Sequence, residues 1–312
     1  MSKFSTGLGN TLNLIPDSVR PMFAILVSLL TSTLFFLLSM ELLFALTGID
    51  FVHLQTILND NTNRLFPIVL KSFLIIQSVS IFVLPPVIIA KVYKKRVFDF
   101  FTLNKTPDLF FIIASVVLVI VSSPFVAYLT EINEKLLDAI LGAANTLKSQ
   151  DEATQALVEN LIYNTSFLSF FQNVLIIAFL PAFCEELFFR AFLQKRILNK
   201  YTNIHASILM SAFIFSFIHF QFYGFIPRFV LGIVFGYIFY WSGSLWTTIL
   251  LHFTNNFMAV LSGFLISYKM LDKDIDKIGS GDTFYFGIIS LVFMLAIIWA
   301  MYSKFNKSRS FR

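Results

Sequence analysis

Residues 167–198 read FLSFFQNVLIIAFLPAFCEELFFRAFLQKRIL. The run is longer than the roughly 20 apolar residues that cross a bilayer as a helix. Near its centre stand Glu185, Glu186 and Arg190. A charged side chain at mid-bilayer costs about 2.5–3.5 kcal/mol on insertion scales, so such groups persist where they are paired or line a cavity. Glu186 and Arg190 are four residues apart, share a helix face, and can pair. Glu185 points about 100° away from Glu186. One carboxylate is therefore held by arginine while the other is free for chemistry. Pro181, just ahead, is expected to kink or loosen the helix there. Cys184 is the chain's one cysteine, and it reads as a small apolar helix residue, not a nucleophile.

The rest of the chain has the same character. Of its 312 residues 57% are hydrophobic and 13% charged, with a mean hydropathy of +0.79. A soluble domain carries about a quarter charged residues. The 40 phenylalanines read as lipid-facing filler. We expect an all-α, polytopic transmembrane bundle of about eight spans. They fall near residues 22–46, 66–92, 109–129, 167–198, 204–220, 225–240, 245–267 and 284–302. The runs are continuously apolar and lack the alternation of a barrel, so each must satisfy its own backbone as a helix. No linker divides the chain. Within one membrane domain, residues 1–165 form the N-terminal helices and an outer connection, 166–268 a catalytic-type core, and 269–312 the last span and a basic tail. Residues 1–21 lack the apolar core and cleavage site of a signal peptide, so the first apolar run is expected to remain as a helix.

Charges alternate between the ends of the spans. Lys91, Lys94, Lys95, Arg96 and Lys105 follow the second span, Lys195, Arg196 and Lys200 the fourth, and Lys304, Lys307, Arg309 and Arg312 the last. Acidic residues dominate the connections after the third and seventh spans. The positive-inside rule then puts both termini in the cytoplasm. The basic residues mark orientation, and nucleic acid is not an expected partner. Between residues 131 and 165, Leu147, Ala153, Leu157 and Leu161 recur at helical spacing, which predicts a short amphipathic helix at the outer face. Gly232 and Gly236 form a G-x-x-x-G pair that lets helices approach closely.

Three further polar residues stand in apolar runs: His219, His252 and Asn256. His252 and Asn256 are four apart and face one way. At about 1.5 Å per residue, Glu185 lies roughly 20 Å from Leu198, His219 roughly 22 Å from Ile204, and His252 and Asn256 roughly 10 and 16 Å from Leu245. The depths overlap, and we expect access from the cytoplasmic side. A carboxylate and a histidine can activate water, and histidine and asparagine can stabilise an oxyanion. No serine elbow and no H-E-x-x-H helix is present.

The set E-E-x-x-x-R at Glu185–Arg190, F-x-x-x-H at Phe215–His219 and H-x-x-x-N at His252–Asn256 resembles the CPBP (Abi) family, which includes the type II CAAX prenyl endopeptidases. The resemblance covers roughly residues 168–264. It implies an intramembrane endopeptidase acting on a hydrophobic or lipidated peptide within a lipid bilayer, in a bacterial plasma membrane. By motif, Glu185 would be the general base, His219 would help activate water, and His252 and Asn256 would form the oxyanion hole. Glu186 and Arg190 would support the acidic helix. The family is commonly named for metalloproteases, yet prenyl endopeptidase members are also described as metal-independent glutamate proteases. Zinc held by Glu185, His219 and His252 therefore stands as the alternative, and we expect no permanently bound metal. The competing function is a non-catalytic immunity or scaffolding protein of the same fold. A proton-coupled transporter would show repeated halves, and none is evident.

Overall fold

The computed structural model describes residues 19–92, 95–142, 145–163 and 166–310. Lys94, Arg312 and the stretch 1–18 lie outside the described residues. Among the described residues the chain is helical, with no strands. Each of the eight apolar runs forms a helix. Six helices are long and apolar enough to cross a membrane: Phe66–Lys91, Leu109–Leu141, Phe167–Tyr201, Phe222–Ser242, Leu245–Ser267 and Gly281–Ser308. The apolar stretches Leu29–Ala45 and Ile204–Phe217 are shorter. The chain is a multi-pass membrane protein.

We number the principal helices α1 (Arg20–Thr47), α2 (Phe51–Asn59), α3 (Phe66–Lys91), α4 (Val97–Phe100), α5 (Leu109–Leu141), α6 (Thr146–Tyr163), α7 (Phe167–Tyr201), α8 (Ile204–Phe217), α9 (Phe225–Ser242), α10 (Leu245–Ser267) and α11 (Phe284–Ser310). The third run was expected to end near residue 129. Instead α5 continues to Leu141 and takes Glu131, Glu134 and Asp138 into the helix. Glu131 pairs with Lys135 one turn on, which is compatible with helix in water as apolar residues are in lipid. Gly142, at φ +84°, closes the helix.

The expected amphipathic helix is α6. Its Leu157 and Leu161 pack with Leu54, Ile57 and Leu70, and its Val158 and Ile162 pack with Val260 of α10. A Cβ on Gly263 would collide with Ile162, so glycine is what lets α6 dock directly on α10.

Prolines loosen two helices, at Pro181 as expected and also at Pro85–Pro86. Ahead of Pro85–Pro86, the Leu84 N–H bonds back to the Val79 carbonyl. Ahead of Pro181, the Leu180 N–H bonds to the Leu175 carbonyl. Both reach five residues back instead of four, the wider π-type turn. Residues 187–198 keep that wider winding, with Asn199 bonding to Gln194. Glu185 and Glu186 thus sit between two loosened segments, and Arg190 lies within the second.

Gly232 and Gly236 bring α9 onto α8. A Cβ at Gly232 would stand 3.1 Å from the Cβ of Ala212, and one at Gly236 would stand 2.8 Å from Ile208. Gln194 of α7 donates to the Gly236 carbonyl at 3.1 Å, tying the acidic helix to the same contact. The largest core cluster, including Phe82, Phe101, Phe189, Phe192, Phe215 and Leu245, joins α3, α4, α7, α8, α9 and α10. It fixes the three site-bearing helices against one another.

Candidate active site

Glu186 and Arg190 pair as their spacing predicts. Arg190 Nε lies 3.1 Å from Glu186 Oε2, and both side chains are fully buried. Two aromatic faces add to the arginine's environment, with the guanidinium carbon 5.4 Å from the Phe215 ring centre and 5.9 Å from that of Phe235. Such contacts favour a desolvated cation.

The other Glu186 oxygen crosses to a different helix. His252 Nδ1 of α10 lies 3.1 Å from Glu186 Oε1. With the carboxylate as acceptor, Nδ1 carries a proton and donates it. A carboxylate on one ring nitrogen fixes the orientation of the other, and His252 Nε2 lies 3.9 Å from Glu185 Oε2. His219 is fixed in a different way. Its Nδ1 is 2.7 Å from the Phe215 carbonyl, and a carbonyl only accepts, so Nδ1 is again the donor. His219 Nε2 then faces Glu185 Oε2 at 4.0 Å. Two imidazoles are held from behind, and their free nitrogens are aimed at one carboxylate oxygen.

Phe215 explains the spacing of F-x-x-x-H. Its carbonyl holds His219 four residues on, and its ring packs against His219, His252 and Arg190. Phe235 of α9 packs against His252 at 5.6 Å. These residues enclose a cavity of about 150 Å³, lined by Glu185, Phe215, His219, Arg228, Leu231, Phe235, His252, Asn255 and Asn256. All four residues expected to carry chemistry therefore meet in one cavity, while Glu186 and Arg190 stand behind its wall.

Zinc donors around a tetrahedral ion, at bond lengths of about 2.0–2.1 Å, stand only about 3.3 Å apart. The two imidazole-to-carboxylate separations here are 3.9 and 4.0 Å. The residue types suit zinc, and their separations are somewhat wider than those of zinc-bound donors. Among the described residues no group of three His, Cys, Asp or Glu is arranged to hold one.

Residues 167–258 match the family model described as Rce1-like, type II CAAX prenyl endopeptidase. Over these residues the chain is similar to that family. This agrees with the CPBP resemblance of the three motifs, and the family is a protease family. No curated protein and no solved structure matches the chain. The matched residues span α7 to the middle of α10 and so include every residue that lines the cavity.

The matched segment is braced by residues outside it. α8 stops at Phe217, after about 21 Å of rise, and His219 lies in the turn leading to α9. Asn133 of α5 donates to the Phe222 carbonyl at 2.8 Å. Asp151 of α6 accepts the Tyr223 N–H at 2.7 Å, and the Tyr223 hydroxyl donates to Asp138 at 2.8 Å. Burial raises the Asp151 carboxyl above its ordinary range, partly offset by the Tyr223 N–H and the charge of Arg228. The connection between spans three and four thus holds the turn that carries His219.

The sequence reading gave no role to Arg228, Leu231, Phe235 or Asn255, which also line the cavity. Arg228 offered one signal, a lone cation in the first turns of an apolar span. Phe235 offered none among so many phenylalanines. The contact from Glu186 to His252 joins residues 66 positions apart, and neither motif contains it.

Proposed function

We propose that this protein is an intramembrane glutamate-type endopeptidase that hydrolyses an apolar or lipid-modified peptide without a resident metal. The observation that carries the reading is the pair of back-tethered histidines aimed at Glu185 Oε2 across 3.9 and 4.0 Å. Polar groups that far apart communicate through a shared water. In the proposed reaction, Glu185 takes a proton from water while His219 orients it. The water oxygen bonds to the peptide carbonyl carbon, and the carbonyl electron pair moves onto oxygen. His252, when both its ring nitrogens carry protons, and Asn256 donate to that oxyanion. The C–N bond then breaks, and the departing nitrogen takes the proton from Glu185.

A second cavity supports an apolar or lipidated substrate. Its volume is about 340 Å³, and its walls include Phe36, Phe73, Ile81, Phe188, Phe192 and Ile218. Ile218 adjoins His219, so an acyl or prenyl chain in this cavity would lead toward the reacting centre. The test is a panel of lipidated and unmodified peptides offered to the protein in liposomes, with and without a chelator. We expect cleavage of lipidated peptides at an undiminished rate in chelator. Loss of activity on chelation, restored by zinc, would replace this mechanism with a metal-dependent one.

Charge asymmetry gives the orientation we propose. The termini and the Lys195–Lys200 end face the cytoplasm. The single cysteine, Cys184, is buried, so single-cysteine labelling is practical. In intact cells Glu152→Cys should react with an impermeant maleimide, and Thr202→Cys only after permeabilisation. The reverse pattern would invert the topology.

A further inference from the structure

Arg228 lines the reaction cavity alongside Glu185, His219, His252 and Asn256, yet it makes no ion pair among the described residues. Its guanidinium is held in place. Nη1 donates to the Gln221 carbonyl at 3.3 Å and Nη2 to Gln221 Oε1 at 3.0 Å. Gly224 makes room for this arrangement, because a Cβ there would stand 3.0 Å from Nη2. Two of the five guanidinium protons are used, leaving the others for a ligand.

A cation inside a membrane domain is expensive unless it meets an anion or a water-filled cavity. Arg190 has Glu186; Arg228 has only neutral partners at hydrogen-bond distance. At longer range it feels the carboxylates of Glu185 and Asp151, and its remaining N–H groups are left for a ligand. The guanidinium shares a cavity of about 150 Å³ with Glu185, His252 and Asn256, so the charge that develops on the reacting group develops beside it.

Resting on the hydrolase reading above, we propose that Arg228 is a third oxyanion donor, acting with His252 and Asn256 on the tetrahedral intermediate. As the water oxygen bonds to carbon, the carbonyl electron pair gives oxygen a full negative charge, and the fixed guanidinium lies in the wall around it. Preorganised donors of this kind act on the transition state more than on the substrate.

The test uses the full chain in liposomes, a cleavable lipidated peptide, and a phosphonate analogue of it that carries the tetrahedral anion. We expect Arg228→Gln to lower kcat about 100-fold, in the range for loss of one oxyanion donor, with KM within a few-fold. Phosphonate affinity should fall in parallel, Arg228→Lys should retain more activity than Arg228→Gln, and guanidinium ion should partly rescue Arg228→Ala. Amidating the peptide's C-terminus should leave wild-type KM unchanged. A rise in KM at constant kcat would overturn the proposal. So would a free-acid preference that disappears in Arg228→Gln, which would assign the arginine to a terminal carboxylate. If Arg228→Gln does not fold, the phosphonate affinity and kcat of Arg228→Lys decide, and wild-type values for both would overturn the proposal. Wild-type protein that cleaves none of the peptides would sink the hydrolase reading and this proposal together, whereas cleavage insensitive to Arg228 would sink this proposal alone.

Discussion

Glu185→Gln will abolish peptide hydrolysis in liposomes while leaving the fold intact. Glutamine keeps the size of the side chain and its apolar packing, but it cannot take a proton from water. A positioned general base contributes about 10²–10⁴-fold. Because the same carboxyl also returns the proton to the leaving nitrogen, we expect a loss near the top of that range. Stability should change little, because the tight contacts of this helix run through Glu186: the Glu186 pair with Arg190 is at 3.1 Å, whereas Glu185 stands 3.9 and 4.0 Å from its histidines. Unfolding in graded denaturant checks the second half of the expectation. Activity retained in Glu185→Gln would reject the base assignment. A cellular phenotype unchanged by the substitution would favour the non-catalytic immunity or scaffolding reading.

Arg190→Leu will destabilise the protein by about 3–5 kcal/mol, the cost of removing one partner of a buried ion pair. Both side chains are fully buried, so water cannot replace the lost partner. The double variant Glu186→Gln with Arg190→Leu should recover much of that stability, since no uncompensated charge remains. It should not recover hydrolysis. Glu186 also holds His252 Nδ1 at 3.1 Å, and glutamine there no longer offers the negative partner that a doubly protonated imidazole needs. A double-mutant cycle read by denaturation and by kcat separates the two effects. If the double variant were as unstable as Arg190→Leu, the pair would matter through packing alone.

The motifs made half of the site legible. Glu186 and Arg190 could be paired from spacing, because four residues is one turn of helix. His252 and Asn256 could be placed on one face for the same reason. The tethers could not be read. Phe215 to His219 is local, but whether a carbonyl four residues back holds an imidazole depends on α8 ending at Phe217. The bridge from Glu186 to His252 depends on how α7 crosses α10. Arg228 stayed unassigned because its partners, Gln221 and Gly224, form a turn whose shape depends on Asp151 and Asn133 in another part of the chain.

Sequence by itself determined the all-helical membrane bundle, its runs, and the residue types available for chemistry. The physical reason is that lipid forces each apolar run to satisfy its own backbone, so local composition decides the element. Only the tertiary structure decided which imidazole nitrogen faces Glu185 and that Arg228 belongs to the cavity. Those depend on packing between helices, where close approach at Gly232, Gly236 and Gly263 sets distances that no single helix encodes.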